Sequence, residues 1–151
     1  MSGPPEFDRD AFGRTLLAEA PDAIVYADAE GIIRFWNRAA SRLFGYEEAE
    51  ALGQSLDIII PEKLRQRHWA GYDEVMKTGR SRYGEGELLA VPGQRKDGSR
   101  ISLEFTVLPF HGPGGAIIGI AAILRDVTER FTELQSLRKQ LAERQRGAGA
   151  A

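Results

Sequence analysis

The chain has 151 residues, which suits one domain with terminal extensions. Of these, 42% are hydrophobic and 28% charged, and a net charge of −2 gives no general attraction to nucleic acid or to a membrane. The absence of cysteine excludes disulfides, thiolate metal sites, cysteine nucleophiles and cysteine-linked chromophores. Since no apolar stretch is long enough to cross a membrane and the N-terminus has no signal-like core, we expect a cytoplasmic protein.

The N-terminal part predicts a disordered tail over residues 1–7 and a flanking helix over 8–21. The helix is capped by Asp8 or Asp10, and its apolar residues recur at helical spacing (Phe12, Leu16 and Leu17). Two strands then run from Ala23 to Asp28 and from Ile32 to Trp36, with Gly31 in the tight turn between them. Asn37 caps the short helix that follows.

The middle of the chain predicts a helix from about Glu62 to Lys77, which begins after Pro61 and ends at Gly79. Steps of three and four residues give it a candidate inward face formed by Leu64, His68, Gly71 or Tyr72, and Val75.

Three strands follow, at 83–91, 100–110 and 116–124. The second alternates, with one face formed by Ile101, Leu103, Phe105 and Val107. The third is nearly all apolar, which predicts a central strand covered on both faces.

The C-terminal segment 126–146 predicts a signalling helix of the coiled-coil type. Asp126 and Glu129 form a capping-box-like pair. The apolar seam, with one charged position, is Val127, Phe131, Leu134, Arg138 and Leu141. Residues 147–151 are predicted as a flexible end.

Five motifs, in this order and spacing, resemble the Per-Arnt-Sim (PAS) family. They are Asp28–Ile33, Phe35–Ala40, Leu43–Tyr46, Arg95–Gly98 and Arg125–Glu129. The resemblance implies an α+β PAS core over 22–125, a five-stranded antiparallel sheet with helices packed on one face. It also implies sensing, dimerisation and signal transmission through the flanking helices, as in two-component systems. Asp126 and Thr128 are then the residues expected to transmit the signal.

The segment from Pro61 to His68 is similar to the proximal helix of haem-binding PAS oxygen sensors, in which the matching histidine ligates iron. The resemblance implies haem b as cofactor and His68 as its metal ligand. The walls of the haem site would come from the helix (Leu64, Tyr72 and Val75) and from the facing strand (Leu103, Phe105 and Val107).

Two departures keep a structural role for His68 open. Those sensors carry an arginine on the strand after this helix, where this sequence has Gly86, Glu87, Leu88 and Leu89. Many PAS domains also carry the histidine without haem. Flavin is a weaker alternative, since Trp36 is more typical of a core residue than of a stacking platform.

Two functions remain. The first is a sensor or input domain for intracellular signal transduction, which binds a small ligand and relays its state through the C-terminal helix. The second is a ligand-free dimerisation or interaction module. Both functions imply a homodimer and an output domain or partner protein. Neither function involves binding to nucleic acid or to a membrane. Because no catalytic set of side chains stands out, we do not expect an enzyme.

Overall fold

The computed structural model describes residues 3–79 and 89–149. These residues form five α-helices and five strands, in the order α1 Arg9–Glu19, β1 Ala23–Asp28, β2 Ile33–Trp36, α2 Arg38–Phe44, α3 Glu48–Ala51, α4 Glu62–Thr78, β3 Leu89–Gln94, β4 Arg100–His111, β5 Ile117–Asp126 and α5 Thr128–Gly149. A short 3-10 helix, Leu56–Ile59, precedes α4, and another lies at Pro113–Gly115.

The strands form one antiparallel sheet in the order β2-β1-β5-β4-β3. The first hairpin therefore lies beside the last strand, which places the beginning and the end of the core next to each other. The turn of that hairpin passes through Gly31 at φ +79°, a conformation that glycine adopts without the steric cost of a side chain.

The hydrophobic core lies between one face of the sheet and the helices that follow β2. Trp36, Phe44, Ile33 and Ile101 are its largest fully buried hydrophobic side chains. Trp36 and Phe44 pack against each other with ring centroids 5.5 Å apart. The predicted α+β fold, an antiparallel sheet with helices, is confirmed.

The prediction that β5 is covered on both faces is wrong. β5 is central in the sheet, but Ile123 is 48% exposed on the face away from the core, and Leu108 of the adjacent β4 is 53% exposed on that same face. The apolar sequence therefore reflects burial on one face and an open apolar surface on the other.

Helix α5 and strand β3 differ from their predicted boundaries. Helix α5 begins at Thr128, because Asp126 is still the last residue of β5, and it continues to Gly149, into the segment predicted as flexible. Glycines 147 and 149 weaken a helix without forbidding it. Residues 83–88 of the predicted strand, with Glu87, lie outside the described residues, and β3 continues to Gln94.

Within the described residues, no helix combines the length and the apolar character that a membrane crossing requires.

Candidate functional site

His68 lies on α4 and is half-buried. Its Nδ1 atom is buried and has no hydrogen-bond partner among the described residues. Burial lowers the pKa of His68 below its ordinary value, and the nearby Asp57 carboxylate opposes this only in part. The imidazole is therefore neutral at pH 7, the form that binds metal ions.

Tyr72, one turn after His68, ties α4 to the sheet. The side chain is buried, and its hydroxyl donates a hydrogen bond to the main-chain carbonyl of Asp28 at the end of β1. Burial also raises the pKa of the Tyr72 hydroxyl, so this hydroxyl remains a hydrogen-bond donor over the physiological range. The inward face predicted at Gly71 or Tyr72 is thus occupied by Tyr72, whereas Gly71 is exposed.

The other predicted wall residues differ in burial and in their place relative to the core. On β4, Leu103 is buried and Phe105 is half-buried, and both belong to the main core or pack against it. The rest, Leu64, Val75 and Val107, are half-buried and lie outside that cluster. The structure thus places the β4 residues of the predicted site on the core side of the sheet, whereas Leu64 and Val75 of α4 lie outside the core cluster.

Trp69 is a site residue that the sequence interpretation missed. Its indole Nε1 donates a 2.7 Å hydrogen bond to Asp57 Oδ1 in the 3-10 helix. Its ring lies against Gly31, where a Cβ atom would be 2.1 Å from Trp69 Cη2. It also meets the ring of His68 edge to face, with centroids 4.8 Å apart and an interplanar angle of 79°. The signal in the sequence was a glycine turn without a side chain, which leaves room for a large ring.

The two residues predicted to transmit the signal form the junction between β5 and α5. The Asp126 carboxylate accepts hydrogen bonds from the main-chain N–H and the hydroxyl of Thr128. The Thr128 hydroxyl oxygen in turn accepts from the main-chain N–H of Ser102 on β4, at 2.9 Å. The predicted capping box with Glu129 is replaced by this turn, which joins the start of α5 to β4.

The same junction carries two ion pairs. Asp126 pairs with Arg95 at 3.2 Å, and Arg125 pairs at 2.9 Å with Asp22, which follows α1. A surface cleft of about 240 Å³ lies here, and a second of about 270 Å³ lies beside Trp36. Neither of these two clefts is lined by His68.

Trp36 has the role of a core residue. It is 1% exposed, and its indole Nε1 donates to Ser41 Oγ at 3.0 Å and to the carbonyl of Tyr46 at 3.2 Å. An indole enclosed in this way has no free face on which a flavin ring could stack.

The chemistry of the His68 region fits a haem group. The neutral imidazole of His68 could donate a nitrogen to haem iron, and the apolar side chains around it would suit the flat porphyrin ring. Over the described ranges, no three histidine, aspartate or glutamate side chains lie close enough together to hold a metal ion.

Comparisons with known proteins identify relatives of this chain. A family model described as the PAS fold matches residues 17–131. Sensor protein FixL of Bradyrhizobium diazoefficiens is 34% identical over 134 residues, which cover 85% of this chain and 26% of FixL. Oxygen sensor protein DosP of Escherichia coli is 25% identical over 135 residues, 89% of this chain and 15% of DosP. The chain thus spans about a quarter or less of the length of these relatives.

Among solved structures, the chain is similar to the PAS domain of a Colwellia psychrerythraea protein. The TM-score is 0.70 at 22% sequence identity, over 81% of this chain and 99% of the other. At this identity the likeness concerns the fold.

Proposed function

Because the chain belongs to the PAS family, we propose that it is the sensor or input domain of a signal-transduction protein and that it binds haem b through His68. The observation that carries the proposal is the half-buried, neutral imidazole of His68, whose buried Nδ1 has no partner in the described chain. A buried nitrogen without a partner is costly, so its presence on this ring points to a functional rather than a purely structural role for His68.

Each wall of the proposed site has a physical task. Leu64, Tyr72 and Val75 would hold the ring from the α4 side, and Leu103, Phe105 and Val107 would exclude water from the β4 side. Because Leu64, Val75 and Val107 are half-buried and lie outside the buried cluster, a ring could enter between them without disrupting the main core. Haem supplies an iron that binds small ligands, whereas the protein supplies the donor nitrogen and the dry surroundings.

We propose that the signal leaves through β4 and its bonds to α5. Leu103 faces the site, and the neighbouring Ser102 accepts the main-chain N–H of Val127 at 2.9 Å and donates its own to Thr128. A displacement of β4 therefore moves the first turn of α5 directly. Asp126 and Thr128 fix the angle at which the helix leaves the sheet.

We also propose an output domain or partner protein that receives the signal from this domain. FixL carries the name of a sensor protein and DosP that of an oxygen sensor, and both are several times longer than the matched region. We infer that α5 connects this domain to a signalling output of that kind, in a homodimer.

The test is titration with haemin, followed by the Soret band. We expect saturable uptake of one haem per chain by the unmodified protein and by His111→Ala, which removes the only other histidine. His68→Ala should lose the saturable band. In His68→Gly, added imidazole should restore it, because the free ring can occupy the vacated space.

Failure to saturate in the unmodified protein would end the haem proposal. Equal bands in the unmodified protein and in His68→Ala would remove His68 from the role and indicate non-specific uptake.

The second candidate function is a ligand-free dimerisation module, and one specific observation favours it. Large apolar side chains are exposed on both flanking helices: Phe12, Leu16 and Leu17 on α1, and Phe131, Leu134, Leu137 and Leu141 on α5. A water-facing apolar surface of this extent is typical of an interaction site.

A dimer built from residues 8–20 and 127–144 should be weakened by Leu134→Glu with Leu141→Glu, because buried carboxylates would face each other across the seam. The matched control is Ser136→Glu with Gln140→Glu, which adds the same charge on the far side of α5. Light scattering should give twice the chain mass for the unmodified protein and the control, and a lower mass for the leucine variant. A monomer at high micromolar concentration of the unmodified protein would refute the dimer.

A further inference from the structure

Trp69 connects three parts of the chain that are distant in sequence. It belongs to α4, its N–H group is bonded to Asp57 of the 3-10 helix, and its ring rests on Gly31 in the β1–β2 turn. A side chain held by a hydrogen bond at one point and by a tight contact at another has little freedom to rotate.

The ring held in this way is itself in contact with His68. The edge-to-face geometry, at 4.8 Å between centroids, places the indole against the imidazole. Tyr72 adds a third ring, 5.8 Å from His68 and 5.4 Å from Trp69. The imidazole therefore has an aromatic wall on two sides, although its own Nδ1 has no hydrogen bond in the described chain that would fix its orientation.

We infer that Trp69 is a positioning residue for His68 and that the hydrogen bond from Trp69 to Asp57 holds it in this role. A histidine that binds metal is normally oriented by a hydrogen bond from its second nitrogen to a carboxylate or a carbonyl. Here the carboxylate is bonded to the tryptophan, and the tryptophan orients the histidine by contact. The inference rests on the proposed function, because haem binding is the reason why His68 would need a fixed orientation. The contacts that orient His68 are present without a ligand.

The experiment compares four variants of the full chain. Asp57→Ala removes the acceptor and keeps the indole, whereas Asp57→Asn keeps an acceptor oxygen and removes only the charge. Trp69→Phe keeps an aromatic ring and removes the donor. Asp73→Ala is the matched control, since Asp73 is an exposed carboxylate on the same helix.

The first readout uses protein without haem, in which the His68 imidazole gives one of only two histidine ring signals. The His68 signal should move or broaden in Asp57→Ala, as the ring begins to sample several orientations. At a pH well above the pKa of His68, where the ring is neutral with or without the Asp57 charge, the signal should stay in place in Asp57→Asn and Asp73→Ala. An unchanged signal in Asp57→Ala would overturn the inference, as would an equal change in Asp57→Asn, because that would assign the effect to charge.

The second readout is the rate of haem loss from the loaded protein. Loss of an orienting group behind a metal ligand typically costs at least about tenfold in affinity, so we expect haem to leave Asp57→Ala and Trp69→Phe about tenfold faster. The double variant Asp57→Ala with Trp69→Phe should be no faster than either single variant, because both break the same contact. Additive effects would contradict the inference. If the unmodified protein takes up no haem, the proposed function fails, and the spectra of the haem-free protein still decide the role of Trp69.

Discussion

Replacing Asn37 with alanine should lower the free energy of unfolding by about 3 kcal/mol, an estimate that adds a helix cap to the loss of buried hydrogen bonds. Asn37 is 3% exposed, and its Oδ1 accepts the main-chain N–H groups of Ala40 and Ile24, both at 3.0 Å. Its Nδ2 donates to the carbonyls of Leu17 at 3.0 Å and of Asp22 at 3.2 Å. Alanine would leave all four main-chain groups without this partner.

The matched control is Asp8→Ala, which removes the exposed cap of α1. Asp8 accepts only from the first turn of its own helix, so its loss should cost about 1 kcal/mol or less. Asn37→Asp keeps the acceptor and loses the two donors. If the buried negative charge adds no further cost, the stability of this variant should lie between that of Asn37→Ala and that of the unmodified protein. Chemical denaturation, with the slope checked for constancy, gives these values. Equal losses for Asn37→Ala and Asp8→Ala would show that only the cap matters.

The helix cap made by the Asn37 side-chain oxygen was predictable from sequence, whereas the hydrogen bonds donated by its Nδ2 were not. A cap depends on residues within one helical turn, which the sequence shows directly. The bonds to Leu17 and Asp22 depend on how α1 approaches α2, and that approach is set by packing between separate elements. The helix, strand and turn pattern was predictable for the same reason, since local periodicity and glycine turns determine it.

The candidate site was predictable in part. His68 was recognised by its place on α4 and by resemblance, and Tyr72 by helical spacing. Trp69 was missed because it lies 100° around the helix from His68, outside the predicted inward face. Its burial depends on Gly31, a residue 38 positions earlier, and on Asp57, and neither contact has a signature in the spacing along α4.

The exposed apolar face of β5 was missed for a related physical reason. An apolar strand at the centre of a sheet is expected to be covered on both sides. This chain has helices for one side, and the outer side of its sheet leaves Phe110 and Ile123 exposed. Such a surface would be covered if a further part of the protein or a second copy of the chain packed on it.

The second large effect is expected at Gly31, where a methyl group meets two separate penalties. At φ +79° an L-amino acid is disfavoured by about 1 kcal/mol. The added Cβ would also lie 2.1 and 2.2 Å from Trp69 Cη2 and Cζ3, closer than atoms in contact can approach. Overpacking of this kind adds about 2 kcal/mol, so Gly31→Ala should cost about 3 kcal/mol in total.

Gly98→Ala separates the two penalties. Gly98 has φ +86°, and a Cβ there has nothing within 4 Å, so this variant bears only the backbone cost. Denaturant unfolding should therefore show Gly31→Ala about 2 kcal/mol less stable than Gly98→Ala. A smaller side chain at position 69 should recover part of that difference, so that Trp69→Leu costs less stability in the Gly31→Ala background than in the unmodified protein. If Gly31→Ala and Gly98→Ala were equally stable, the indole would not rest on the turn, and Trp69 would not be held beside His68 by this contact.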